Sequence, residues 1–308
     1  IFDKEIVEKA HNDSGKVIFI DNSHENANTH NILKKLPRDK FYIILSTGKW
    51  DPSYYLLPIS YVNLTRYMYF YEYASFIFNQ QHIMFYNDNQ YNFDYPKQYE
   101  FVSTTGSVRL ERDKFINYMQ ENIKTDNFIF RYSGVDLGKP AYMYDNVPIE
   151  PNNFDSYGDI PGYENYYYNV SYSLPLEMYN TAYFNLVLEG DIDWPYQFLP
   201  SEKIIKTLLT GMPFVLVGSP LFLEELRKLG FKTYHELWDE SYDRELDYKN
   251  RIQKIVELCN HLIEFDWDKN KEKLIEIGTH NRNCFIQLKN LFLQEYQHTT
   301  EQLKQLKN

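Results

Sequence analysis

Two cysteines, Cys259 and Cys284, are all that the 308 residues contain. That is too few for a disulfide framework, and a reduced, cytoplasmic setting is the expectation. No apolar stretch approaches the ~18 residues that cross a bilayer as a helix. The opening "IFDKEIVEKA" has neither Met nor the apolar h-region of a secretory signal. Positive charge is also scarce: 32 Lys and Arg stand against 43 Asp and Glu, a formal net charge of −11. A protein that grips duplex DNA through many phosphates presents a basic face, so contact with nucleic acid is expected to be local at most. The eight His are scattered, none of them in a HExxH or CxxC context, which argues against a structural zinc. No GxxxxGK[ST] or GxSxG occurs, which argues against a P-loop NTPase and an α/β-hydrolase.

What is present is apolar and aromatic. Hydrophobic residues make up 43% of the chain, enough to bury a sizeable core in one large domain or two of ordinary size. Aromatics reach 18%, carried by 29 Tyr and 21 Phe. Tyr joins a large apolar body to a polar tip and suits cleft walls as well as cores. An AT-rich coding sequence accounts equally well for the Tyr, Asn, Lys and Ile content.

Short apolar runs alternate with helical stretches. "KVIFIDNS" and "FYIILSTG" read as buried strands with the helix-like "HNILKKL" between them, the pattern of βαβ units and a parallel sheet. Residues 51–98 are aromatic-rich, and "RYMYFYEYASFIFNQQ" reads as a helix with an aromatic face or as part of a core. Tyr99–Ser103 then reads as a strand, Thr104–Val108 as a loop, Arg109–Asn122 as a helix and Asn127–Ser133 as a strand. Residues 134–170 hold many Gly, Pro, Asn and Asp and read as a long loop region. Beyond 171, "LPLEMYNTA" reads as a helix, "YFNLVLEG" as a strand, "SEKIIKTLLTG" as a helix, "PFVLVG" as a strand and "SPLFLEELRKLG" as a helix. "FKTY" reads as a short strand, and Asp243–Phe265 and 268–306 as long helices.

Four places can carry chemistry. In "FLPSEKIIKTLLTGMPFVLVG", Ser201 is a good N-cap that puts Glu202 and Lys203 in the first helical turn. Backbone N–H groups there attract anions, whereas a Lys gains nothing from the helix dipole. Lys203 makes sense facing a diphosphate, with Glu202 accepting from ribose hydroxyls. Taken alone, a capped surface helix with solvated charges is the simpler reading. Arg109 and Arg112 open another helix after a strand, and two guanidinium groups one turn apart can clamp a phosphate. Two basic strand-to-helix junctions say more together, because ligands of open α/β sheets sit outside the carboxyl ends of the strands.

In "EGDIDWP", Asp191 and Asp193 form an Asp-x-Asp that can hold a divalent cation, although acidic loops contain this pattern by chance. Glu189, at the end of the preceding strand, is the better candidate for a ligand contact. "GFKTYHELWDESYD" offers Asp239, Glu240 and Asp243 for acid–base or metal chemistry. Asp243 reads as the N-cap of the long helix that follows, and Glu240 stays open as a supporting residue.

The stretch "FLPSEKIIKTLLTGMPFVLVGSPLFLEELRKLGFKTY…DESYD" resembles the nucleotide-sugar domain of GT-B glycosyltransferases of the fucosyltransferase-like and exostosin-like kind. The shared pattern is an acidic-Lys pair at a helix start, the helix, Gly-x-Pro and a strand. The resemblance covers roughly residues 99–265. It implies a ribose contact for Glu202 and a diphosphate contact for Lys203. "STTGSVRLERDKF" is similar to the family's Arg-rich segment, here diluted to Arg109 and Arg112. Glu189 stands where such proteins often carry an acidic residue. The "GFKTY…DESYD" signature is similar to glycosyltransferase-like proteins of phages and large DNA viruses, which places the chain in a host-cell cytoplasm if the source is viral.

The fold expected from the resemblance is α/β, with two Rossmann-like domains facing across a cleft and a C-terminal helix packing back on the N-terminal domain. The expected segments are an acceptor domain over 1–98, a donor domain over 99–270 and a helical segment over 271–308. The expected activity is hexosyl or pentosyl transfer from a UDP- or GDP-sugar to a hydroxyl of a glycan, a protein or a modified DNA base. No metal or prosthetic group is expected. Asp21, His24 and Glu25, after the first strand, are the candidates for the base. The rivals are a GT-A-like enzyme holding Mn²⁺ or Mg²⁺ on Asp191 and Asp193, and a non-catalytic module that binds glycans or protein on the same fold.

Overall fold

The computed structural model describes residues 8, 11–12, 17–22, 37, 41–46, 49–50, 60–63, 90–105, 109–132, 135–138, 176–190, 192, 197–198 and 200–306. The chain groups into two compact units. One comprises Ile1–Ser75, Tyr196–Leu199 and Leu288–Asn308, the other Phe76–Pro195 and Pro200–Gln287.

In the first unit, β1 (Val17–Asn22), β2 (Phe41–Ser46) and β4 (Ser60–Asn63) form a parallel sheet in the order β1-β2-β4. The apolar runs "VIFI" and "FYII" lie in register, with Ile20 opposite Ile44. Strands apolar at every position belong to a parallel sheet, as the sequence predicts. A two-stranded ribbon pairs β3 (Lys49–Trp50) with β9 (Gln197–Phe198) antiparallel. The expected helices at "HNILKKL" and "RYMYFYEYASFIFNQQ" lie outside the described residues.

The second unit holds a five-stranded sheet in the order β10-β8-β5-β6-β7. Its strands are β5 (Tyr99–Thr105), β6 (Ile129–Tyr132), β7 (Val135–Gly138), β8 (Ala182–Leu188) and β10 (Phe214–Val217). The first four in spatial order run parallel, and β7 closes the edge antiparallel to β6. The chain is therefore mixed α/β. β8 buries all of "AYFNLVL" except Tyr183, and β10 buries all of "FVLV". Each fully buried Leu, Val or Phe contributes roughly 1.5–3 kcal/mol of hydrophobic stabilisation, and Phe101, Phe184, Leu186 and Val215 are all completely enclosed.

Six helices are present among the described residues. They are α1 (Leu110–Asn122), α2 (Leu176–Asn180), α3 (Glu202–Thr210), α4 (Phe222–Lys228), α5 (Tyr248–Ile263) and α6 (Trp267–Leu306). α1 turns Phe115, Ile116 and Met119 into the core. α3 starts on Ser201, whose hydroxyl accepts from the Lys203 N–H, and stops at Gly211, which is left-handed with φ 76°. That stop turns the chain through Pro213 into β10.

Three readings of the sequence need correction. "FKTY" is not a strand, because its backbone donors go to the preceding helix and to side chains: Phe231 N donates to Leu226 O at 3.1 Å. Lys232 N donates to Asn281 Oδ1 at 2.7 Å and Tyr234 N to Glu240 Oε1 at 2.8 Å. The loop expected over 134–170 begins instead with β7, whose alternating "VDLG" follows β6 after only Ser133 and Gly134, a hairpin spacing. Asp243 caps α4 rather than the long helix. Its carboxylate accepts from Leu223 N at 2.8 Å and Glu224 N at 3.0 Å, while α5 starts later on Asp247, which accepts from Asn250 N.

Candidate functional site

The carboxyl ends of β8 and β10, the helix α1 and the start of α3 meet at Glu189. β8 delivers this residue into the interior, where it is 1% exposed. Its N–H donates to Val217 O at the end of β10 (3.0 Å), and its carbonyl accepts from Arg112 Nε on α1 (2.9 Å). Its Oε1 accepts from Ser201 N, the N-cap of α3, at 3.2 Å. One residue thus ties together β8, β10, α1 and α3. Its Oε2 is buried with no hydrogen-bond partner.

Glu202 and Lys203 form an ion pair within the first turn of α3, each with about a seventh of its side chain exposed (16% and 14%). The Lys203 ammonium also reaches Ser201 Oγ at 3.4 Å. Burial pushes the Glu189 carboxyl upward, against the pull of Lys203 and the Ser201 hydrogen bonds, and the net shift is up. For Glu202 burial also pushes up, but Lys203 and Lys206 outweigh it and the net shift is down. The two carboxyls therefore part in character: Glu202 is held as the anion, and Glu189 is biased toward the neutral acid.

Arg109 is the N-cap residue of α1, and its guanidinium lies against Gly190, about 3.7 Å from where a Cβ there would sit. Arg112 is 3% exposed and holds the Glu189 carbonyl. Arg109, Arg112, Glu189, Ser201, Glu202 and Lys203, which the sequence scatters over nearly a hundred positions, are thus gathered at one edge of the sheet. The two strand-to-helix junctions face the same place because β5 and β8 are neighbours and parallel.

Glu240 belongs to a different network. Its carboxylate oxygens accept from Tyr234 N and from Arg227 Nη1 at 3.1 Å, and Arg227 also pairs with Asp243 at 3.6 Å. It fastens the chain after α4. Asp21 lies on β1, paired in register with Leu45. His24 and Glu25 lie outside the described residues, as do Asp191 and Asp193. Between those two acids, Ile192 is 1% exposed, and its carbonyl accepts from the buried Arg251 guanidinium. Among the described residues, no group of three or more His, Cys, Asp and Glu is gathered to hold a metal. No helix among them is long and apolar enough to cross a membrane.

Lys206 escaped the sequence reading. It lies one turn beyond Glu202 and Lys203 on α3 and is only 5% exposed. Burial first, and then repulsion from Lys203, bring its ammonium down to about 7, against the pull of Glu202. The signal available was its spacing, i+4 from a Glu and i+3 from a Lys on one helix. The Ser103 and Thr105 hydroxyls, near the carboxyl end of β5, are also buried without a hydrogen-bond partner. With Glu189 Oε2, they put three unpaired polar atoms on the carboxyl ends of two adjacent strands. Buried polar atoms are paired in the great majority of cases, so this edge is where a ligand has hydrogen bonds to offer. Comparison with protein-family models, with curated proteins and with solved structures finds no match for this chain.

Proposed function

We propose that the chain is a glycosyltransferase on the GT-B plan. It takes a sugar from a nucleoside diphosphate donor bound at the carboxyl edge of the five-stranded sheet and passes it to a hydroxyl acceptor. The observation that supports this reading most is the convergence of Arg109, Arg112, Lys203 and the α3 N-terminus around the buried Glu189, whose Oε2 has no hydrogen-bond partner. Breaking the bond between an anomeric carbon and a diphosphate leaves charge on the departing phosphates. Fixed cations and a helix N-terminus stabilise such charge without a metal.

In this reading Lys203 leaves Glu202 to meet the diphosphate, Arg109 approaches it from across Gly190, and Glu202 turns to the ribose hydroxyls. Burial pushes the Glu189 carboxyl up, which favours the protonated form beside an anionic donor, and that form can donate a hydrogen bond. An acceptor hydroxyl needs a base in an inverting transfer, and Asp21, His24 and Glu25 remain the proposed candidates. The acceptor is a glycan, a protein or a hydroxylated base, and the net charge of −11 leaves any nucleic acid to a local contact.

A thermal-shift screen against UDP, GDP, CMP and their sugars tests the donor class, since binding stabilises the native state by mass action. One nucleotide series is expected to raise the melting temperature. Lys203→Ala is expected to weaken its binding by at least about tenfold in calorimetry, for loss of one charge-assisted contact. Unchanged affinity in that variant removes Lys203 from the site, and no shift with any nucleotide removes the donor reading.

A further inference from the structure

A hollow of about 280 Å³ opens at the amino end of β8, roughly 20 Å along the strand from Glu189. It is small, near the lower end of the ~300–1,000 Å³ of small-molecule sites. Tyr91, Asp94, Lys97, Tyr183, Asp268 and Lys271 help to line it, and its surface is mostly polar. Such a surface suits a small polar reactant.

Lys97 is held in an unusual way. Its Nζ donates to two backbone carbonyls, Asn92 O at 2.9 Å and Asn180 O at 2.8 Å. Asn92 is itself fastened to the end of α2, its N–H donating to Asn180 Oδ1 at 2.7 Å. The amine is therefore fixed in place instead of swinging on a free stem. It also stands 4.0 Å from the centroid of the Tyr91 ring. An amine that has lost its extra proton still has two N–H donors, so both carbonyls stay satisfied while a lone pair becomes available.

The surroundings favour that loss. Burial brings the Lys97 ammonium down to about 7, with Asp94 pulling it up and Lys271 pushing it further down. Burial raises the Tyr91 and Tyr183 phenols above their ordinary range, so both are neutral near pH 7. Asp94 pairs with Lys271, and Asp268 completes the charged lining.

The same surroundings select the reaction partner. An iminium keeps a positive charge beside the Tyr91 face and Asp94, and one N–H for a backbone carbonyl. A carbamate formed from CO₂ puts a negative charge next to Asp94 and two carbonyl oxygens. An acyl group leaves a neutral amide, for which the ring face and Asp94 do nothing.

We propose that Lys97 is a carbonyl-reactive amine that forms a Schiff base in this hollow with a small polar aldehyde or ketone. The nitrogen lone pair adds to the carbonyl carbon, and a proton moves from nitrogen to the carbonyl oxygen to give a carbinolamine. Departure of that hydroxyl as water, with one further proton from solvent, leaves the iminium, and no redox partner is needed. The site stands apart from the donor edge and does not rest on the glycosyltransferase reading.

The test adds glycolaldehyde, or separately glyoxylate, to the full chain at pH 7 with cyanoborohydride to trap any iminium. Peptide mass mapping then locates the modified lysines. An amine with a pKa of about 7 is about half unprotonated at this pH, against about one part in a few thousand for a lysine at its ordinary value. Lys97 is expected to be trapped at least tenfold faster than the exposed Lys249 and Lys269 with at least one of the two aldehydes. The preference is expected to vanish in the chain unfolded by urea. Acetylation by trace acetic anhydride, followed against pH, is expected to give Lys97 a midpoint near 7. Trapping at Lys97 no faster than at Lys249 and Lys269 with both aldehydes overturns the proposal, and so does a preference that persists in urea. A Lys97 that titrates near 7 toward the anhydride but captures neither aldehyde also overturns it, because the amine is then available and no iminium is stabilised.

Discussion

At the scale of single residues, the site rests on two buried ionisable groups whose charged forms are penalised in opposite directions of pH. Glu189 has its carboxyl pushed up by burial. Below the ordinary carboxylate range both folded and unfolded chains hold this proton. As pH rises, the unfolded chain releases it first, so stability falls until the folded pKa is passed. Glu189→Gln keeps an acceptor for Ser201 N and removes the ionisation. It is expected to flatten this fall and to match or exceed the native protein by about 1 kcal/mol at neutral pH. Urea unfolding between acid and neutral pH checks it, and a Gln variant clearly weaker at neutral pH would mean an ionised Glu189 paired with Lys203. Lys206 gives the opposite slope. Its native pKa of about 7 lies below the ordinary lysine value of 10.5, so between the two the unfolded chain binds the proton and the folded one does not. Stability therefore climbs with pH across that window, and the full cost is felt below it. Lys206→Met is expected to stabilise the protein by about 1–3 kcal/mol at slightly acid pH and to abolish the climb. A loss of stability in that variant would show that Lys206 is held charged by its neighbours.

At the scale of elements, the sequence was legible where local chemistry and global fold agree. Ser201, the "IIKTLL" face and Gly211 announced α3 from cap to stop, and apolar runs, interrupted only by Asn185 in β8, announced β8 and β10 as interior parallel strands. The proposed site was half legible in its placement for the same reason: Ser201, Glu202 and Lys203 sit where a cap must be, and the Arg pair opens a helix after a strand. Lys206 was hidden because burial is a tertiary property, and a Lys within a helix looks like any solvated one. "FKTY" misled because strand propensity says nothing about Asn281, 49 residues away, taking its N–H. Asp243 misled because it caps a helix that precedes it in the chain. The crossing of α3 and α6 was equally unreadable. Gly278 sits within α6, where glycine is locally unfavourable, yet a Cβ there would fall 3.1 Å from the Gly211 carbonyl carbon and closer still to its oxygen. Gly211 cannot yield, since its φ of 76° is itself required to end α3. Gly278→Ala is therefore expected to destabilise by about 1–3 kcal/mol through overpacking, despite the gain in helix propensity. Chemical denaturation checks this, and a neutral or stabilising result would mean that the two backbones separate at little cost.

At the scale of the whole molecule, the proposed donor residues all fall in one unit. Arg109, Arg112, Glu189 and Ser201–Lys206 lie within Phe76–Pro195 and Pro200–Gln287, which carry the five-stranded sheet and its core. The candidates for the base, Asp21, His24 and Glu25, all lie in the other unit. Donor binding and transfer are then separable by cutting the chain. A fragment of residues 76–287 retains Phe101, Phe184, Leu216 and Phe285, all 1% exposed or less, and gives up the part of α6 that groups with the first unit. Its expected cost is local: Phe198, 2% exposed, loses β3 as the partner of β9, three residues before the cap of α3. The fragment is expected to fold with a cooperative transition and to bind the nucleotide identified by the full chain with affinity within about tenfold, a difference of about 1.4 kcal/mol. It is expected to show no sugar transfer, since nothing in it replaces the first unit's candidates for the base. Circular dichroism with thermal unfolding, calorimetry and a transfer assay on the same preparation decide the matter. A folded fragment that fails to bind would mean that the donor edge is completed by the first unit, and one that still transfers sugar would remove Asp21, His24 and Glu25 from the reaction altogether.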